Sequence, residues 1–485
     1  MTTRRHHVMV AAAVTVSVAM RARFVFAPIG TDEGGYLAVA RAWGNGAHLY
    51  RNVWVDRPQG LLLLFRAYDM TVGAAGLVRL LAVLFGAVAV VAVAWGVRAV
   101  AGPTSGAVAA LLVAAMSASP AIEGFQANGE LLSGAMSAVA VAVACGVLTE
   151  RISERWILIA GVAGGLGWSM KQSGVDGLAA VAAFLVLSAL VGWDGWLVTW
   201  RRLGSLLIGA FGVVGLAALH GALTGWNDWT YAAWGYRLEK RSALQGSNWH
   251  RLWRTAGDAW PVFALVVVVL VASALWLWRS GAGLLGHRAG ALFVVWPFTA
   301  LMAFVLGGQF FQHYWVILTF PVGALCGLLV GRLSQRAARS AALTVVLVPM
   351  LVSFVLLVRL PNSTVNEGVS GERRSYRANA AAQWLVEHRS SGDSLYVLCA
   401  AANLYAYAEM DPTYRYLWFD GVHQGRNARA DLEALLAGDA LPTWVAKVDT
   451  VASCTSSKLV AESLDTRYRE AATVEGITLL RRIDG

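Results

Sequence analysis

Apolar runs about as long as a bilayer core is thick recur along this chain, and no other feature restricts its fold so severely. Leu80–Trp95 and Ala259–Trp276 approach the ~20 residues that a helix needs to cross the hydrocarbon. Hydrophobic residues make up 57% of the sequence and charged residues only 14%, against about 25% charged in soluble domains. The sequence therefore reads as an integral membrane protein with many spans. Eleven spans are expected, near 8–28, 77–97, 104–121, 130–148, 156–171, 174–191, 204–222, 259–278, 289–307, 313–330 and 340–360. Nothing in the first of these runs reads as a secretory cleavage site, so it is taken as a retained span.

The net charge of +10 is explained better by membrane topology than by nucleic acid, because Arg and Lys accumulate in cytoplasmic loops. With the N-terminus cytoplasmic, the inner loops hold Arg98, Arg151 and Arg155, Arg201 and Arg202, Arg279 and Arg288, and Arg332, Arg336 and Arg339. Each short inner loop is then basic. The long loops 29–76 and 223–258 fall outside, and an odd number of spans puts the tail from Pro361 outside as well. That tail is polar, with an amphipathic segment at Ala380–His388 and strand-like runs at Ser394–Cys399, Trp444–Val448 and Ile477–Ile483. Leu432–Leu436 reads as helix. The expected fold class is thus an all-α polytopic membrane domain over 1–360, with about 11 transmembrane helices, followed by a small extracytoplasmic α/β domain over 361–485. Cys145 and Cys326 sit in apolar runs and read as packing residues. Cys399 and Cys454 either pair in the tail or stay as two buried thiols.

The polar residues on the expected outer side carry the functional argument. "GTDEGGY" (Gly30–Tyr36) places two adjacent carboxylates just after the first span. Tyr36, Leu37 and Ala40 share a helical face, consistent with an interfacial amphipathic helix that ends at Gly44-Asn45-Gly46. Asp32 stands where an N-cap would be, and Glu33 near the positive end of the helix dipole. A cap explains one acid more easily than two beside Gly34-Gly35, whose missing side chains let another molecule approach the backbone. Arg57 lies in Asp56-Arg57-Pro58-Gln59, and Glu123 and Glu130 between the third and fourth spans. Lys171 and Gln172 form a hairpin, and His313 and Tyr314 open the tenth span. Singly, each has a plain reading as a cap, a snorkelling cation or an interface residue. As a set on one side of a membrane they make a functional site the default hypothesis. The loop 223–258 carries Trp226, Trp229, Trp234, Trp249 and Trp253 among Arg237, Lys240 and Arg241. It reads as lying along the outer membrane surface, the alternative being a phosphate-binding and sugar-stacking loop.

The acidic pair followed by Tyr36 resembles the signature of integral-membrane glycosyltransferases of the GT-C fold. The similarity is to the branch of protein O-mannosyltransferases and the lipid A aminoarabinose transferase. "LYRNVWVDRPQGLLLLF" is similar to that branch's segment of basic residue and prolines before a Leu-rich helix, with Arg57-Pro58-Gln59 where the family often has Lys-Pro-Pro. "NGELLSG" resembles its second acidic position, "SMKQSGVDGL" its Lys-containing hairpin and "QHYWVILTFP" its His/Tyr-containing span start. The resemblance implies a polyprenyl-phosphate-linked sugar donor and a cell-envelope glycan, glycolipid or protein acceptor. It implies work at the extracytoplasmic face of the plasma membrane, with hexosyl (mannosyl) or pentosyl (arabinosyl) transfer both open, and no metal or other cofactor. By that analogy Asp32 is the base, Glu33 orients the acceptor or keeps Asp32 in place, and Arg57, Lys171 and His313 hold the donor phosphate. Tyr36, Glu123, Glu130, Gln172 and Tyr314 would surround them. The competing class is a transporter or flippase of a lipid-linked sugar, although the sequence shows no repeated halves.

Overall fold

The computed structural model describes residues 2–239, 248–280, 287–362, 374–398, 401–455 and 457–483. Two compact units emerge. Unit 1 comprises Met1–Val25, Arg79–Ala217 and Gly246–Leu360, and unit 2 comprises Phe26–Val78, Ala218–Gln245 and Pro361–Gly485.

Unit 1 is built of helices, with no strand among its described residues. Helices occupy all eleven expected span positions, and seven of them are long and apolar enough to cross a membrane. The protein is therefore a multi-pass membrane protein, while the count of eleven crossings goes beyond what helix length supports. The first helix is Thr3–Ala22 rather than 8–28, and the chain turns at Arg23–Phe26 before unit 2 begins. Gly102, at φ +87°, closes Leu80–Ala101, and Pro103 opens Pro103–Ser117 at once. Proline suits a first helical position because its missing N–H would have no helical partner there.

The helix Val316–Gly331 lies at the centre of unit 1, with every residue from Val316 to Val330 buried. Gly323, Gly327 and Gly331 recur every fourth residue and face Val113, Ala109 and Ser105 of Pro103–Ser117. A Cβ at Gly327 would overlap the Ala109 backbone. Such small-residue stripes let two helix backbones pack closely where lipid supplies no hydrophobic drive between them. Two buried arginines fix the connection that carries Glu123. The Arg21 guanidinium donates to Gly124 O at 2.9 Å and Ser117 O at 2.8 Å. Arg79 donates to Phe24 O at 2.9 Å and lies over the Phe125 ring.

Unit 2 joins the loop 29–76 and the first part of the loop 223–258 to the tail. Its sheet has strands β1 (Leu395–Leu398), β2 (Trp444–Lys447), β3 (Tyr468–Val474) and β4 (Ile477–Arg482) in the order β1-β2-β4-β3. The β1/β2 pair is parallel and the other pairs are antiparallel. The sequence reading has three of these strands and lacks β3, whose burial alternates too weakly to mark it as a sheet edge. Cys145 and Cys326 are free and buried. Cys454 is disulfide-bonded, and Cys399, its expected partner, lies outside the described residues. Lys240 and Arg241 also lie outside them.

The loop 29–76 forms helices Thr31–Gly44 and Gln59–Thr71, and the tail packs Asn403–Ala408 against the first of these. The expectation of an interfacial amphipathic helix is thus corrected: Glu33 through Ala40 are all buried. Neighbours on more than one side cover the face that the sequence pattern left polar.

Two candidate clusters, one in each unit

In unit 2 the acidic pair divides its work. Gly30 holds the N-cap position, and the Glu33 carboxylate accepts from its backbone N–H at 3.0 Å. The expected cap at Asp32 is therefore supplied instead by Glu33, which reaches back one turn as in a capping box. Asp32 sits in the first turn, and its side chain turns to other donors. Its Oδ1 accepts from Trp418 Nε1 at 2.8 Å and its Oδ2 from the Tyr36 hydroxyl at 3.2 Å. A carboxylate has about four acceptor positions, so both oxygens keep lone-pair capacity.

Gly34 and Gly35 explain how the tail comes so close. A Cβ at Gly34 would overlap Asn403 Cα, and one at Gly35 would overlap the Trp418 ring. The molecule that approaches this bare backbone is the chain's own tail. Asn403 Nδ2 donates to Ile29 O at 3.0 Å and fastens the same entry turn.

Arg57 lies farther along the loop, with its side chain 8% exposed and paired with Asp56 at 2.8 Å. Asp56 also pairs with Arg237, so these three side chains carry one net positive charge. The Tyr50 hydroxyl donates to Arg57 O at 2.8 Å, and burial raises its pKa, keeping it a donor. Burial also raises Tyr236, with Asp56 adding to the effect. Trp54, Tyr231, Tyr236 and Tyr416 pack edge to face or tilted around Trp54. Trp229, from the Trp-rich loop, is buried with its Nε1 donating to Gln59 Oε1 at 2.9 Å. Trp226 and Trp234 are exposed, and in unit 1 so are Trp249 and Trp253.

Unit 1 gathers five more of the expected residues. Asn128 caps Gly129–Leu148 through its Oδ1 and Leu131 N at 2.9 Å, which aims Glu130 from the first helical turn. The Lys171 ammonium pairs with Glu130 and lies over the Tyr314 ring. His313 contacts Glu123 through Nδ1 at 2.8 Å and faces Glu130 through Nε2 at 3.7 Å. Gln312 donates to Ala121 O at 2.5 Å, tying the His313 turn to the Glu123 turn. Gln172 follows Lys171 and is half-buried. Two carboxylates thus already meet the expected phosphate ligands, and an anion at Lys171 or His313 must compete with them.

Sequence reasoning passed over five residues with clear roles. Trp418 lies in a Tyr-rich stretch that gave no motif. Arg237 was seen only as one cation of a Trp-rich loop. Arg21 and Arg79 fall inside the expected spans 8–28 and 77–97, where each reads as part of the span. Asp176 was passed over as a residue at the start of a span, yet it is fully buried in unit 1, its carboxylate accepting from Ser137 Oγ and from Trp296 Nε1, each at 2.7 Å.

No family model matches the sequence, and no curated protein matches it. Solved structures do match. ArnT from Cupriavidus metallidurans, determined with undecaprenyl phosphate bound, aligns over 100% of this chain and 99% of its own, with TM-score 0.69 and 14% identity. The chain has the GT-C fold. The archaeal oligosaccharyltransferase AglB from Archaeoglobus fulgidus, determined with an inhibitory peptide and a dolichol-phosphate, aligns over 91% of this chain and 69% of its own. Its TM-score is 0.57, again at 14% identity. At that identity the fold is what these structures share with the chain.

Proposed function

We propose that this protein is a membrane glycosyltransferase that takes a sugar from a polyprenyl-phosphate carrier and gives it to a cell-envelope glycan, glycolipid or protein acceptor. Asp32 is the base. It accepts the acceptor hydroxyl's proton as the acceptor oxygen bonds to the anomeric carbon. The carbon–oxygen bond to phosphate breaks with its electron pair, and polyprenyl phosphate leaves. A single displacement inverts the anomeric configuration. A phosphate leaving group needs no acid to protonate it, which separates this chemistry from glycoside hydrolysis and its two flanking carboxylates.

The observation that carries the reading is the division of labour in the acidic pair. Glu33 is committed to holding the start of its helix. Asp32 is anchored instead by two neutral donors, the Trp418 indole and the Tyr36 hydroxyl. A carboxylate in this setting retains the capacity to take a proton. The shared fold supports the carrier class, since polyprenyl phosphates are bound in both ArnT and AglB. Arg57, in the same unit as Asp32, is proposed for the carrier phosphate, by charge–charge stabilisation of the leaving group; Lys171 and His313 of unit 1 are proposed separately as anion ligands. The N-terminus is proposed to be cytoplasmic, with unit 2 facing the extracytoplasmic side.

The test supplies purified protein with radiolabelled undecaprenyl-phosphate mannose or undecaprenyl-phosphate arabinose and a cell-envelope extract. The wild-type chain should consume one donor only when extract is present. Asp32→Asn should abolish that transfer while still binding undecaprenyl phosphate. Turnover within a few-fold of wild type in Asp32→Asn sinks the base assignment. Movement of intact donor across vesicles without bond cleavage favours a flippase.

A further inference from the structure

We infer that Trp418, a residue of the C-terminal tail, is a positioning residue for Asp32, so that the tail is part of the catalytic apparatus rather than an accessory cover. The inference rests on the reading of Asp32 as base. Three observations within unit 2 converge on it. The Trp418 indole N–H donates to Asp32 Oδ1 at 2.8 Å. Its ring lies against Gly35, where any Cβ would overlap it. It also packs on Tyr36, with ring centroids 5.6 Å apart, and Tyr36 is the second donor to the same carboxylate.

The geometry has a physical consequence. Asp32 lies in the first helical turn, where a short side chain can bond its own backbone or rotate toward solvent. An indole donor at one oxygen and a phenol donor at the other fix both torsions of the carboxylate. The lone pairs that remain then point in one set of directions. Indole has only one donor and no acceptor, so Trp418 can orient the base without competing for the proton the base must take. The two glycines extend this logic: they remove the side chains that would hold the tail away from the acidic pair.

The test compares Trp418→Phe with a second variant, Gly35→Ala, in the full-length chain, using the labelled donor that wild type consumes. Trp418→Phe keeps an aromatic ring and deletes the N–H. Gly35→Ala keeps the indole and displaces it with one methyl. Both should lower kcat by about 10- to 100-fold, the loss expected when a reacting group is misplaced by about 1 Å. The KM for donor and the binding of undecaprenyl phosphate should stay at wild-type values. Wild-type kcat in both variants, with Asp32→Asn inactive, overturns the positioning role and leaves the base assignment standing. Parallel loss of thermal stability, donor binding and kcat in both overturns it too, because Trp418 would then be structural only. An active Asp32→Asn removes the base reading itself and this inference with it.

Discussion

The buried pair of Lys171 and Glu130 allows a sharp energetic test. Their side chains are 7% and 4% exposed, and they arrive from separate helical segments of unit 1. Removing one partner of a buried pair strands the other charge at a cost of about 3–5 kcal/mol, whereas replacing both groups is often nearly neutral. Lys171→Met should therefore destabilise unit 1 by about 3–5 kcal/mol, towards the lower figure because His313 Nε2 still faces Glu130 at 3.7 Å. Glu130→Gln strands the ammonium, but the Tyr314 ring lies 3.8 Å from it. A desolvated cation–π contact is worth up to about 2 kcal/mol, so this variant should cost less than Lys171→Met by about that amount. The double variant Lys171→Met/Glu130→Gln should recover most of both losses. The expected coupling is at least about 3 kcal/mol, at or above the usual upper range for neighbouring residues. Equilibrium unfolding of the four proteins in mixed micelles, followed by tryptophan fluorescence and by far-UV circular dichroism, measures the cycle. Losses that add to within about 0.5 kcal/mol refute the argument, since that is the behaviour of independent sites. Additivity would mean that the two charges do not depend on one another.

Two further outcomes follow from packing and hydrogen bonding. Gly34→Ala adds a methyl that meets Asn403 Cα and Cβ. Overpacking of about 1–3 kcal/mol is opposed by the helix preference for Ala over Gly of about 1 kcal/mol, and a lower unfolding midpoint should result; an unchanged or higher midpoint refutes the close approach. Asp176→Ala orphans the buried donors of Ser137 and Trp296, at about 1–3 kcal/mol each. Asp176→Asn should cost less, because its amide can donate to the Ser137 hydroxyl, and the same unfolding assay should rank wild type, Asn and Ala in that order.

Much of the architecture was legible because lipid imposes a simple rule on sequence. Helices occupy the positions of all eleven apolar runs. Three of the four tail strands announced themselves through apolar runs bounded by turns. The fourth, Tyr468–Val474, is an edge strand whose exposed residues carry no such signal. The first helix was placed too far along the chain because Arg21 and Arg23 were read through as part of a span. In the structure Arg21 is buried on carbonyl and hydroxyl oxygens at the helix end, and Arg23 bonds Leu360 O at 2.8 Å.

The candidate sites divide in the same way. The sequence determined which residue types stand near the expected outer ends of the spans: two acids at Asp32 and Glu33, an arginine at Arg57, a lysine at Lys171 and a histidine at His313. Local spacing also shows that one acid of the pair can cap a helix. Only the tertiary structure decided which one. The cap falls to Glu33 because the helix begins at Thr31 with Gly30, which has no side chain, at its N-cap, and Asp32 is left to Trp418, which lies 386 positions away in the chain. No local pattern encodes a hydrogen bond at that separation. Nor does local pattern reveal that Lys171 and His313 meet Glu130 and Glu123 before any ligand does. Periodicity reports what a residue's neighbours in the chain allow. Which distant donor reaches a carboxylate depends on how the helices pack, and here that packing depends on two glycines with no side chain in the way.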